Sequence, residues 1–214
     1  LPRSERVVMG VDRQLFAARP RPANWGAPLR MISVGRLYEQ KGHDLAIRTL
    51  ALLRARRPDL DVRLRIVGDG PRMESLNRLA EELGVRGFVA GPAPARPLEV
   101  AAALFEADLA LVPSRVMPDG WQEAFCRVAI EAMSTGLPVV ATRSGGLPDT
   151  VGEGGIVAVR EDAAALAGLT GLTGYDVGAL YVSALSPGVR SRHGRHYTPA
   201  DLAARAIPHP ARGG

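Results

Sequence analysis

The chain has 214 residues, 46% hydrophobic, 23% charged and 5% aromatic, the balance of a globular protein long enough to bury a core without disulfide or metal staples. Disordered, fibrous and disulfide-framework classes are excluded, and no apolar run approaches the roughly 18 residues of a transmembrane helix, because Glu99, Glu106 and Asp108 interrupt the longest candidate. A net charge of +5 suits a partner that carries phosphates.

Residues 1–28 contain Pro20, Pro22, Gly26 and Pro28, which break any helical or strand period, and are expected to be an interdomain linker remnant. Leu1 in place of a methionine points to a start inside a longer product, and the single cysteine fits a reducing cytosol, hence a cytoplasmic location. From Leu29 strand and helix signals alternate. A strand at 29–34 leads through a glycine-bounded loop to a helix over about 44–56 with Ala46, Leu50 and Leu53 on one face; a strand at 61–67, a turn at 68–71 and a helix at 73–83 follow. A short strand at 88–90, a helix at 98–105, a strand at 108–112, a helix at 123–134, a strand at 138–142 and a last strand at 156–159 complete the pattern. About six strands alternating with helices specify a Rossmann-like α/β fold, a mainly parallel sheet with helices on both faces and ligands beyond the carboxyl ends of the strands.

Beyond residue 162 the helical signal is diluted by Gly168, Gly171 and Gly174, whereas Thr198-Pro199-Ala200-Asp201 reads as the capped start of a helix to about 206. The expected domain therefore covers 29–206, with an Arg/Gly/Pro-rich mobile tail at 207–214.

Arginine occurs 26 times and lysine once, at Lys41. Arg36 and Lys41 share the loop from Gly35 to Gly42, where they can close on a diphosphate, Arg36 as a fork and Lys41 as a point charge; the plainer reading is a solvated loop. In the expected helix 123–134, Phe125, Val128, Ala129, Ala132 and Met133 form a buried stripe, which leaves Glu123 and Glu131. Helical rise would separate their backbones by roughly 12 Å. A glycosidase needs its carboxyls about 5–9.5 Å apart, so this pair suits the two ends of one elongated ligand better, with phosphates at the helix N-terminus. Two solvated glutamates remain the alternative.

The chain resembles the C-terminal, donor-binding domain of a GT-B glycosyltransferase of family 4. The residues that carry the resemblance are Gly35-Arg36 with Lys41-Gly42, Val67-Gly68-Asp69-Gly70-Pro71, Pro113-Ser114, the run from Glu123 to Met133 with its two glutamates, Gly136 to Thr142, and Gly145-Gly146-Leu147-Pro148-Asp149. Gly10-Val11-Asp12 with Leu15-Phe16 is similar to the family's link between its two domains. The resemblance implies that Gly35, Arg36 and Lys41 bind the donor diphosphate and Glu131 the ribose. It also implies that Glu123 is catalytic and contacts the sugar beside Ala124, Phe125 and Cys126, and that transfer retains anomeric configuration with no metal or other cofactor. The partners so implied are a nucleotide sugar and an N-terminal acceptor domain or partner chain, which this sequence lacks. Where the family usually has glycine the chain has Ala124 and Cys126, which would tighten the sugar pocket. A separately encoded binding subunit, a non-catalytic module, and a nucleotide-sugar epimerase or phosphorylase of the same architecture are the alternatives.

Other signals are weaker. Gly68-Asp69-Gly70 lacks the rest of a dinucleotide fingerprint, since position 73 is Met, and reads as a tight turn. Cys126 reads as a small filler and His193 and His196 as solvated residues, not metal ligands. Arg190, Arg192 and Arg195 read as a solvated face, or as a contact with anionic lipid at the inner face of a membrane or with the missing domain. No aromatic-interleaved basic platform points to nucleic acid.

Overall fold

The computed structural model describes residues 10–18, 28–152, 155–158 and 162–170. Their strands are β1 (Leu29–Val34), β2 (Val62–Val67), β3 (Val89–Ala93), β4 (Leu109–Val112), β5 (Val139–Thr142) and β6 (Gly155–Ala158). The α-helices are α1 (His43–Arg56), α2 (Met73–Glu82), α3 (Pro97–Glu106), α4 (Arg127–Ser134), α5 (Leu147–Val151) and α6 (Ala163–Thr170). All six strands pair in parallel in the order β3-β2-β1-β4-β5-β6. The chain builds outward from β1 to β3, crosses back through α3, and builds outward again from β4. β1 and β4 are therefore neighbours from which successive connections diverge, the kind of crevice in which open α/β sheets bind ligands.

The strands form because their residues bury on both faces. β4 (LALV) and β5 (VVAT) are buried throughout, as parallel strands between two helical layers must be. On one face Met31, Leu64 and Ile66 pack with Leu45, Leu50 and Leu53 of α1, Leu76 of α2 and Leu166 of α6. On the other, Ile32, Ala110 and Val139 pack with Leu104 of α3, Ala129 of α4 and Leu147 of α5. Phe16, from the segment expected to be a linker, is buried in this second cluster. In β2, Arg63 and Arg65 alternate with buried residues and are exposed at the rim of the second helical layer, where Arg65 pairs with Glu106 at the end of α3 at 2.8 Å. No described helix is long and apolar enough to cross a membrane.

Most expected elements lie within one or two residues of the observed ones. β3 runs on to Ala93 and follows a 3-10 turn at Arg86–Phe88, and the short helix α5 was not expected. The main correction concerns 123–134, where only Arg127–Ser134 is helical. The expected helix at 198–206, His193, His196 and the arginines at 190, 192 and 195 lie outside the described residues.

Leu50 has no exposed surface in the first core cluster. Leu50→Ala is expected to cost about 2–5 kcal/mol through lost burial and a residual cavity, read as a lower urea midpoint at unchanged slope.

Candidate functional site

Three loops at the carboxyl ends of β1, β4 and β5 meet over the β1/β4 crevice. The first, residues 35–42, is anchored by Leu37, which is fully buried and donates its amide to the Asp69 carbonyl at 2.8 Å. Gly68 sits where a Cβ would collide with the Gly35 carbonyl, so the Gly68-Asp69-Gly70 turn is a support for this loop. Gly42 has φ +66, and a Cβ there would collide with the Pro113 carbonyl. Glycine thus lets the backbone after Lys41 press against the start of the β4 loop.

Across that contact two ion pairs lace the loops together. Lys41 Nζ donates to Glu123 Oε2 at 2.5 Å, and the two side chains are only 21% and 7% exposed. Ser114 donates its hydroxyl to the same carboxylate oxygen at 3.1 Å. The backbone of Glu123 is held as well, its amide donating to Ser144 Oγ at 3.2 Å and its carbonyl accepting from the Gly146 amide at 2.7 Å. The second pair joins Arg115 to Asp44 through two hydrogen bonds of 2.7 and 2.5 Å. The Arg115 amide and guanidinium also reach the carbonyls of Gln40 and Glu39 at 2.9 and 3.2 Å. Burial alone would raise the Asp44 carboxyl, but the hydrogen bonds and charge of Arg115 outweigh it and hold the group below its ordinary range.

These contacts explain why residues 123–126 are not helical. Gly145 and Gly146 approach the carbonyls of Glu123 and Ala124 so closely that no Cβ would fit, and Cys126, the N-cap of α4, is extended with φ −96 and ψ 96. Glu123 is therefore a buried loop residue facing Lys41, and the roughly 12 Å spacing along one helix does not describe its relation to Glu131. The expected stripe is correspondingly shorter: Ala129 and Ala132 are buried in α4, Val128 and Met133 pack against the core, and Phe125 is a half-buried loop residue. Cys126 is buried, and burial, followed by the negative charge of Glu123, pushes its thiol up to about 11, which agrees with a filler rather than a nucleophile. Ala124 is exposed.

Glu131, one turn into α4, has a side chain 14% exposed, with Oε1 3.1 Å from Arg127 Nε. Burial raises its carboxyl above the ordinary range against the pull of Arg127. Arg36 is exposed, with its guanidinium carbon 5.4 Å from the centroid of the Tyr38 ring. The loops thus bring Lys41 and Glu123 into contact, and place Gly35 and Arg36 on the same loop as Lys41. Asp44, Arg115, Ser144 and Trp121, which single-segment reasoning did not select, complete the network. A cavity of about 320 Å³ lined by Arg30, Arg63, Arg65, Phe88 and Glu106 opens on the exposed face of β2 and β3 and includes none of the three loops.

His43, the first residue of α1, is 2% exposed. Its Nδ1 lies 3.0 Å from Ser33 Oγ, while Nε2 has no hydrogen-bond partner and lies 3.5 Å from where a Cβ on Gly35 would stand. Burial pushes the imidazole down to about 4, against smaller upward pulls from the backbone of Arg36 and Gly35 and from Asp44. It is therefore neutral at pH 7 and supports the loop without adding to its charge.

A family model described as glycosyl transferases group 1 matches residues 28–170. The putative colanic acid biosynthesis glycosyltransferase WcaL of Salmonella typhimurium is 39% identical over 161 residues, which are 74% of this chain and 39% of that protein. The chain thus spans about two fifths of that relative's length. Among solved structures, HepE of Anabaena in complex with UDP and glucose superimposes with a TM-score of 0.70 at 22% identity, over 93% of this chain and 52% of that one. The C-terminal domain of LpcC from Francisella tularensis, a glycosyl transferase group 1 family protein, gives 0.58 at 20% identity, over 79% of this chain and 97% of that one. Both likenesses support the fold.

The histidine yields a pH test. Its folded value, about 4, lies below the ordinary 6.5, so between those values the unfolded chain binds a proton that the folded one refuses. Stability should fall by roughly 3 kcal/mol from this source as pH drops from 6.5 to 4. His43→Gln is expected to flatten that part of the urea-stability profile, and an unchanged slope would contradict the assignment.

Proposed function

The chain belongs to the glycosyl transferases group 1 family, and from that premise we propose that it is the donor-binding half of a retaining glycosyltransferase, which moves a sugar from a nucleoside diphosphate sugar to an acceptor held by a second domain. The observation that carries this reading is the meeting of Lys41 with Glu123 across the β1/β4 crevice, next to the amino end of α4. HepE, crystallised with UDP and glucose, supplies the ligand class by likeness.

In this reading Gly35, Arg36 and Lys41 receive the diphosphate. Gly35 allows close approach, Arg36 binds by forked hydrogen bonds and Lys41 acts as a point charge. Charge-assisted hydrogen bonds of this kind contribute about 1.5–3 kcal/mol each. Glu131 accepts hydrogen bonds from the ribose hydroxyls, displacing Arg127. Glu123 contacts the sugar, beside the backbone of Ala124, Phe125 and Cys126. In the reaction the bond between the anomeric carbon and the diphosphate oxygen breaks, and a new bond forms to the acceptor oxygen on the same face of the sugar. The acceptor proton leaves on the diphosphate.

Negative charge grows on that diphosphate in the transition state. Arg36, Lys41 and the positive end of the α4 dipole offset it, so the proposal includes no metal cofactor. The acceptor site and the exclusion of water are assigned to the second domain, with the activity in the cytoplasm.

Calorimetry without divalent metal tests the roles together. Arg36→Ala and Lys41→Ala are each expected to weaken UDP or GDP about tenfold or more. Glu131→Ala should weaken diphosphate and sugar nucleotide equally, because both carry the ribose. Glu123→Gln frees Lys41 from its carboxylate, so it should leave the diphosphate at least as tight while weakening the sugar nucleotide. Unchanged affinity in both cation variants would contradict the phosphate assignment.

A further inference from the structure

Between Ser114 and Glu123 the β4 loop makes an excursion whose tip is closed on itself. The Gly120 amide donates to the Met117 carbonyl at 2.9 Å, the Met117 amide to the Trp121 carbonyl at 2.8 Å, and the Trp121 amide to Asp119 Oδ1 at 2.9 Å. The turn fixes the backbone of Trp121. Its side chain lies outside the two cores: the indole is half-buried and belongs to neither hydrophobic core cluster. It stands at the ion pair, with Lys41 Nζ over the ring, 5.4 Å from its centroid.

A half-buried indole keeps part of its surface available to a ligand. Lys41 alone is a poor cover, since 5.4 Å to the centroid is near the outer limit of a useful cation–π contact. The phosphate assigned to Lys41 is one glycosidic oxygen away from the transferred sugar, so a sugar attached to it comes within reach of the same ring. A hexopyranose carries ring C–H groups on one face and hydroxyls around its rim. The first match an indole face, whose π-system is electron-rich, and the second match a carboxylate such as Glu123.

We propose that Trp121 is a donor-contact residue, a platform on which the hexopyranose ring of the nucleotide sugar lies once the diphosphate has drawn Lys41 away from Glu123, whose freed carboxylate then meets the sugar's hydroxyl edge. The proposal rests on the donor site described above. It assigns the preference for a sugar nucleotide over the bare diphosphate in large part to one side chain of the β4 loop.

The test uses the whole 214-residue chain carrying Trp25→Phe, which leaves Trp121 as the sole tryptophan of the two. UDP, UDP-glucose, UDP-N-acetylglucosamine, GDP and GDP-mannose are titrated while tryptophan emission and binding heat are followed. The quantity read is the affinity for each sugar nucleotide divided by that for its diphosphate. The expected result is one sugar nucleotide that binds more tightly than its diphosphate and shifts Trp121 emission further. Trp121→Ala should then lower the ratio about three- to tenfold, and Trp121→Phe should restore most of it.

Equal weakening of diphosphate and sugar nucleotide by Trp121→Ala would overturn the platform and make the indole a mere cover for the ion pair, and so would an unchanged ratio. Should Trp121→Ala fail to fold, emission from the native Trp121 that responds identically to sugar nucleotide and diphosphate would overturn the proposal. If the platform fails while Arg36→Ala and Lys41→Ala still weaken the diphosphate, the donor site stands without it. If the parent chain binds no diphosphate at all, both readings fail.

Discussion

Lys41 and Glu123 are 82 residues apart in sequence, and they meet because parallel strand order forces them to. The chain leaves β1 toward one edge of the sheet and leaves β4 toward the other, so the loops that follow these adjacent strands have no helix between them and face each other across a crevice. The polar contacts between the β1 and β4 loops follow from that constraint. The Gly42 backbone presses on Pro113, Arg115 reaches Asp44 and the neighbouring carbonyls, and Ser144 of the third loop closes the assembly by bonding Glu123 and Arg115 together.

The physical cost of this arrangement argues for function over stability. Withdrawing an ammonium and a carboxylate from water costs several kcal/mol per ion, and their attraction seldom returns much more than that. Two apolar side chains in the same place would hold the loops at less risk. A pair whose carboxylate is held by the Ser114 hydroxyl is better understood as a preorganised charge. The neutral His43 fits the same logic, for a protonated imidazole there would add a second cation under the loop while a neutral one only fills and supports it.

Much of the fold was legible in the chain because burial on both faces writes itself as uninterrupted apolar runs, as in β4 and β5. Arg36 and Lys41 were legible because they lie within one loop whose ends are glycines. The start of α4 was not: the apolar period runs back to Phe125, and only the approach of Gly145 and Gly146 from another loop keeps Glu123 and Ala124 out of the helix. Asp44 and Arg115 escaped for the same reason, being ordinary surface charges until the strand order brings them together from 71 residues apart. Trp121 stands in a polar stretch with no periodic neighbour, and its place over Lys41 is a property of the turn at 117–121. Most of what the site adds to the sequence pattern is contact between segments far apart in the chain.

The central claim is that Lys41, held by Glu123, is the charge that receives a nucleoside diphosphate. Because the chain contains a single lysine, selective 15N-lysine labelling gives one side-chain ammonium resonance, which reports on Lys41 alone. This resonance is expected to lie away from the free-lysine position, to move toward it in Glu123→Gln, and to shift saturably when UDP or GDP is added. A resonance at the free-lysine position that Glu123→Gln leaves in place, and that stays fixed while calorimetry registers saturation by the diphosphate, would contradict it.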